Sequence, residues 1–123
     1  MPRLVLVDHV GGSLSALGAA MARLEGAPGF DEVVARTSGE VKVAPVVSEV
    51  LQEVGIHLVP MVKQLGEPAE GDVVVELGDA TQLADAVWSF RLADAAQPPL
   101  VQRSTARTTR DRLARAIAAV SHG

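Results

Sequence analysis

Leu4-Val5-Leu6-Val7-Asp8-His9-Val10-Gly11-Gly12-Ser13-Leu14-Ser15 decides the fold. Four apolar residues run into a carboxylate and an imidazole. A small-residue loop follows, and Ser13 is a good N-cap for what comes next. Leu17, Ala20, Met21 and Leu24 then recur at i, i+3, i+4 and i+7, the buried face of a helix running to about Leu24. The unit is strand, loop, helix. In open α/β sheets, ligands bind where such strands end.

Outward from this unit, strands and helices alternate. Gly26-Ala27-Pro28-Gly29 stops the first helix, and Phe30 to Thr37, with Val33-Val34-Ala35, predicts strand two. Pro45 and Gly55 bracket a second helix lined by Val46, Val47, Val50, Leu51 and Val54. Ile56 to Val59 is extended, and Pro60 to Leu65 is read as one helical turn. Asp72-Val73-Val74-Val75-Glu76-Leu77 has the continuous apolar character of a strand buried on both faces. Residues 80–86 are read as helical, and Val87-Trp88-Ser89-Phe90 as the fourth strand. A third helix covers about Arg103 to Val120, with Ala106, Leu113, Ala116, Ile117 and Val120 inward. The expected architecture is α/β: a three-layer sandwich around a four-stranded parallel sheet, one domain over residues 1–123.

Composition narrows the chemistry. Hydrophobic residues are 48% and charged residues 21%, so the chain is globular and not disordered. Aromatics are only 2%, which leaves Val, Leu, Ile and Ala to build the core. There are no cysteines, which excludes disulfides, thiolate metal sites and thiol catalysis. No apolar stretch approaches the ~20 residues of a membrane span. No signal-peptide pattern follows Met1, and the expected location is cytoplasmic. Arg103, Arg107, Arg110, Arg112 and Arg115 face Asp111 alone in residues 103–123. Without interleaved aromatics they read as the solvated face of a helix and not as a nucleic-acid patch.

The framework Val34-Ala35-Arg36-Thr37-Ser38-Gly39, Val47 to Ile56, Lys63-Gln64-Leu65, Asp72 to Ala80, and Trp88-Ser89-Phe90 ahead of Asp94-Ala95 keeps a characteristic order and spacing. From about Arg3 to Val120 it resembles the low-molecular-weight protein tyrosine phosphatase family, above all its thioredoxin-coupled arsenate reductase branch. The resemblance implies that fold and a ligand site at the loop after strand one. It also implies a catalytically degenerate member. The family places a nucleophilic cysteine at the position held here by Asp8 and an arginine at that held by Leu14. The serine after the arginine persists as Ser15. Asp94 falls where the family keeps its general acid, but Ala95 replaces the proline that follows it. A carboxylate at position 8 would repel an incoming oxyanion by roughly 4 kcal/mol at ~4 Å and an effective dielectric of 20. Phosphatase and arsenate reductase chemistry are therefore not expected.

The candidate catalytic residues are Asp8, Asp94 and His9. Asp8 is a general acid or base, or else an acceptor for the N–H groups of its own loop. Asp94 is its partner in a carboxylate pair, or a solvated loop residue. His9 shuttles protons near neutral pH, or is an ordinary loop histidine. Gly11, Gly12, Ser13, Leu14 and Ser15 form the ligand-binding loop, or a tight turn with its N-cap. Trp88 and Phe90 wall the pocket, or pack in the core. Asp79 with Asp8 and Asp94 could hold magnesium, but no spacing motif supports it, and no metal site or cofactor is expected. His57 and His122 read as structural or surface groups.

Two functions are weighed, and the chemically capable carboxylate at position 8 favours the first over the second. One is an enzyme repurposed to non-redox acid–base chemistry on a small organic molecule. The other is a pseudoenzyme that binds a ligand or protein partner in a regulatory role. The expected partner set is a small molecule and a possible homodimer, with no nucleic acid and no membrane.

Overall fold

The computed structural model describes residues 2–27, 29–83 and 86–122. The elements are β1 (Arg3–Asp8), α1 (Ser13–Leu24), β2 (Glu32–Thr37), α2 (Pro45–Gln52), β3 (Val62–Gln64), β4 (Val73–Glu76), β5 (Thr81–Leu83), β6 (Ala86–Trp88) and α3 (Pro99–His122). Four strands make a parallel sheet in the order β3-β2-β1-β4, and β5 with β6 makes a separate antiparallel ribbon. β1 lies inside the sheet, which is why its sequence is an unbroken apolar run. Leu4 and Leu6 join the large core shared with all three helices. Val5 and Val7 meet Val34 in a second, small cluster. On that side, Leu65, Gly66, Glu67 and Pro68 of the connection after β3 line a cavity with Val5 and Val74.

α1 is buried continuously from Ser13 to Ala22, more broadly than one amphipathic stripe. Its small residues (Gly18, Ala19, Ala20 and Ala22) let α3 and the sheet approach from two sides. Leu24, expected on the buried face, is exposed. The N-cap is Gly12, not Ser13, which is already helical. In α3, Ala106, Leu113, Ala116 and Ile117 are buried as expected. The side chains of Val120 and His122 lie outside the described residues.

Three expectations are corrected. Residues 60–65 hold a strand and not a helical turn. Val62, Lys63 and Gln64 pair with Ala35, Arg36 and Thr37, and the Leu65 N–H donates to the Thr37 carbonyl at 2.9 Å. A free sheet edge outweighed local turn preference. Second, β4 is an edge strand, with Val73 39% and Val74 44% exposed, not one buried on both faces. Third, the helix expected over 80–86 is replaced by β5 over 81–83, with residues 84 and 85 outside the description. The segment expected as the fourth strand of the sheet, Val87 to Phe90, instead contributes to β6, which pairs with β5 through Thr81↔Trp88. The fourth strand of the parallel sheet is therefore β3.

The arginines of α3 divide by position. Arg103, Arg112 and Arg115 are exposed, whereas Arg107 and Arg110 tie α3 to the end of α2. Arg110 Nη1 donates to the Val50 carbonyl at 2.7 Å and to Glu53 Oε1 at 2.9 Å. It thereby satisfies a carbonyl at the helix C-terminus. The Arg107 hydrogen bond, with help from Arg110, holds the Glu53 carboxyl down at about 2, from its ordinary 4.5. Because the folded value lies below the unfolded one, this stabilisation is complete above 4.5 and is lost as pH falls through about 2. Thermal melts across that window should show Glu53→Gln with a shallower acid-induced drop in Tm than the wild type. Equal slopes would mean that the link does not titrate with folding.

Among the described residues, no helix is long and apolar enough to cross a membrane.

Candidate functional site

The loop after β1 closes around its own carboxylate. Asp8 is fully buried. Its Oδ1 accepts from the Gly12 N–H at 2.8 Å, the Val10 N–H at 3.1 Å and the Thr37 hydroxyl at 2.8 Å. Its Oδ2 accepts from the Ser15 N–H at 2.8 Å. These donors converge at the first turn of α1, where the helix dipole favours negative charge. The anion that such a cradle attracts is supplied here by the chain itself.

Glycine makes the geometry possible. Gly11 and Gly12 adopt φ values of 90° and 101°, in the left-handed region. A Cβ on Gly11 would lie 2.8 Å from the Lys42 carbonyl oxygen, and one on Gly12 would lie 2.5 Å from Val62 Cγ1. The loop is stapled to the segment before α2. The Lys42 N–H donates to the Gly11 carbonyl, and the Ala44 N–H to the Ser13 hydroxyl, both at 2.8 Å. Ser15 is buried, its hydroxyl donating to the Gly12 carbonyl at 3.1 Å.

Beside this closed loop lies an apolar cavity of about 760 Å³. Val10, Leu14, Val43, Val46, Leu77, Phe90 and Leu92 form much of its wall. His9, Ser13, Lys42, Asp79, Arg91 and Gln102 bring polar groups to it. Arg91 is paired with Asp79, Nε to Oδ1, at 2.5 Å.

The expected site residues separate. His9, Ser13, Leu14 and Phe90 line the cavity, while Asp8, Gly11, Gly12, Ser15, Trp88 and Asp94 do not. Asp8 and His9 diverge, as neighbours leaving a strand must. Asp94 is exposed and its Oδ1 accepts from the Ala96 N–H at 2.9 Å, holding a local turn. The cavity thus brings Asp8 and Asp94 together in neither wall nor mouth. Trp88 stacks on Phe90 at 6.2 Å between ring centroids, and its buried Nε1 has no partner among the described residues. No group of three His, Asp or Glu side chains among the described residues is placed to hold a metal ion.

His9 instead reaches across two strands. Its Nδ1 lies 2.6 Å from Ser38 Oγ, and its Nε2 lies 3.5 Å from Glu76 Oε1. Ser38 and Glu76 were not singled out from sequence. Their positions at the C-terminal ends of β2 and β4 were the available signal.

No protein-family model matches the chain. No curated protein matches it either. Solved structures do. The YwlE arginine phosphatase from Geobacillus stearothermophilus aligns over 98% of this chain and 90% of its own, with a TM-score of 0.69 and 19% identity. An arsenate reductase in the phosphate binding state aligns over 98% of this chain and 99% of its own, with a TM-score of 0.65 and 19% identity. The chain therefore has the low-molecular-weight phosphatase fold, built without a cysteine and with Asp8 seated among the amides of its first loop.

Proposed function

We propose that this protein has exchanged oxyanion chemistry for binding a small, largely apolar organic molecule in the cavity beside the loop. The saturation of Asp8 by four internal donors carries the reading. A carboxylate so placed occupies four of the cradle's donors and excludes an external dianion by charge. The same saturation withdraws Asp8 from acid–base work on a ligand. The apolar wall selects for a hydrocarbon body, and Lys42 and His9 favour a neutral or anionic polar end. Acid–base catalysis, the function favoured from sequence, retains one carrier, His9, because it alone of the three candidate catalytic residues reaches the cavity.

Trp88 is the chain's one tryptophan and stacks on a cavity-wall ring, so its emission is a built-in reporter. Titration with octanoate should produce a saturable change in that emission and raise Tm. Val46→Phe, which fills the wall from α2, should weaken binding at least tenfold, about 1.4 kcal/mol. No saturable response in the wild type would overturn the small-molecule reading and move the search to a protein partner.

A further inference from the structure

We infer that Ser38, His9 and Glu76 form a hydrolytic triad for small esters with an apolar acyl group. The inference rests on the cavity reading above for the acyl group and on separate geometry for the chemistry. The three residues sit at the C-terminal ends of adjacent strands β2, β1 and β4, where open α/β sheets place their reacting groups. Ser38 Oγ and His9 Nδ1 are 2.6 Å apart, within the reach of a nucleophile and its base. For Nδ1 to accept the hydroxyl proton, Nε2 must carry the other ring proton. Glu76 Oε1 lies 3.5 Å from that nitrogen, an ion-pair distance and not a hydrogen bond, and its charge favours a proton there. All three are exposed, so a substrate can reach them. His9 also belongs to the apolar cavity wall, which connects the reacting pair to a place for the acyl chain. Gly39 follows the nucleophile at φ 79°, and open space surrounds the position its Cβ would take. Its N–H is the one that commonly serves as an oxyanion donor after a nucleophile.

The step balances without an outside reagent other than water. Ser38 Oγ bonds to the ester carbonyl carbon while His9 takes its proton. The ester C–O bond then breaks, and the alcohol leaves with that proton. Water attacks the acyl-Ser38 ester, giving a proton to His9. The carboxylic acid departs and His9 returns the proton to Ser38.

The test joins ester hydrolysis to covalent mapping. p-Nitrophenyl octanoate should be hydrolysed, and an alkyl fluorophosphonate should label Ser38 by mass spectrometry. Ser38→Ala should lose the label, and His9→Ala should lower kcat/KM about 100-fold. Glu76 is a positioning residue: Glu76→Gln should lower kcat with KM unchanged, and Glu76→Asp should recover part of the rate. His57→Ala removes another exposed histidine and should leave the rate intact. Equal losses in His9→Ala and His57→Ala would reduce the activity to general imidazole hydrolysis and overturn the triad. An unlabelled Ser38 in a protein whose Trp88 still responds to octanoate overturns the triad while the cavity reading stands. Labelling at Ser38 without an octanoate response overturns the cavity reading alone.

Discussion

Asp8→Ala should unfold at markedly lower denaturant, a loss of about 3–5 kcal/mol with little change in m. The substitution does more than delete a charge. It strands the Gly12 and Ser15 N–H groups and the Thr37 hydroxyl at a buried point, and the Val10 N–H at a part-buried one. Each buried orphan donor costs roughly 1–3 kcal/mol, and partial hydration of the emptied loop keeps the total below their sum. Asp8→Asn should fall between the two, because its amide must turn an N–H toward one of these donors. The same variants carry a functional readout. Formate, the size of the missing group, or phosphate should raise the Tm of Asp8→Ala and leave the wild type unmoved. A wild type stabilised by phosphate would show that the cradle still has room for its old class of ligand. An Asp8→Ala protein as stable as the wild type would show that the loop does not need an anion.

Gly12→Ala should cost about 3 kcal/mol, from two separable sources. A non-glycine residue in left-handed backbone costs roughly 1–2 kcal/mol. Overpacking adds roughly 1–3 kcal/mol, because the new Cβ would lie 2.5 Å from Val62 Cγ1 and within 3.2 Å of two more Val62 atoms. Val62 is β-branched and pinned in β3, so it has no free rotamer into which to retreat. The double variant Gly12→Ala/Val62→Ala should therefore recover the steric part and none of the backbone part. A chemical-denaturation double-mutant cycle reads this as a coupling energy of at least about 1 kcal/mol. Additive losses would mean that the loop relaxes away from β3, and that β3 does not buttress the Asp8 cradle.

The features legible in the chain were those that local chemistry dictates. Leu4 to Val7 could only be a strand inside a sheet, and Pro45 with Gly55 could only bracket a helix. The absence of cysteine excluded thiol chemistry without any coordinates. The order of these landmarks was enough to expect the low-molecular-weight phosphatase fold, and the structural comparisons show it. The importance of position 8 was equally visible, because a carboxylate at a strand end ahead of Gly11-Gly12 has few ordinary explanations.

Tertiary structure decided the rest. Lys63 and Gln64 have no decisive local preference, so only an unoccupied edge beside β2 could make residues 62–64 the fourth strand. Trp88 was compatible with the parallel sheet until β5 offered it an antiparallel partner. Asp8 and Asp94 looked like a pair because both are carboxylates near strand ends. One is enclosed by amides and the other caps a turn, a difference of position that residue type does not encode. Ser38, His9 and Glu76 are far apart in the chain, and they meet because the order β2-β1-β4 sets three strand ends side by side. Sequence specifies which groups a strand end carries. Which ends become neighbours is set by sheet order, a property of long-range backbone pairing that no local pattern contains.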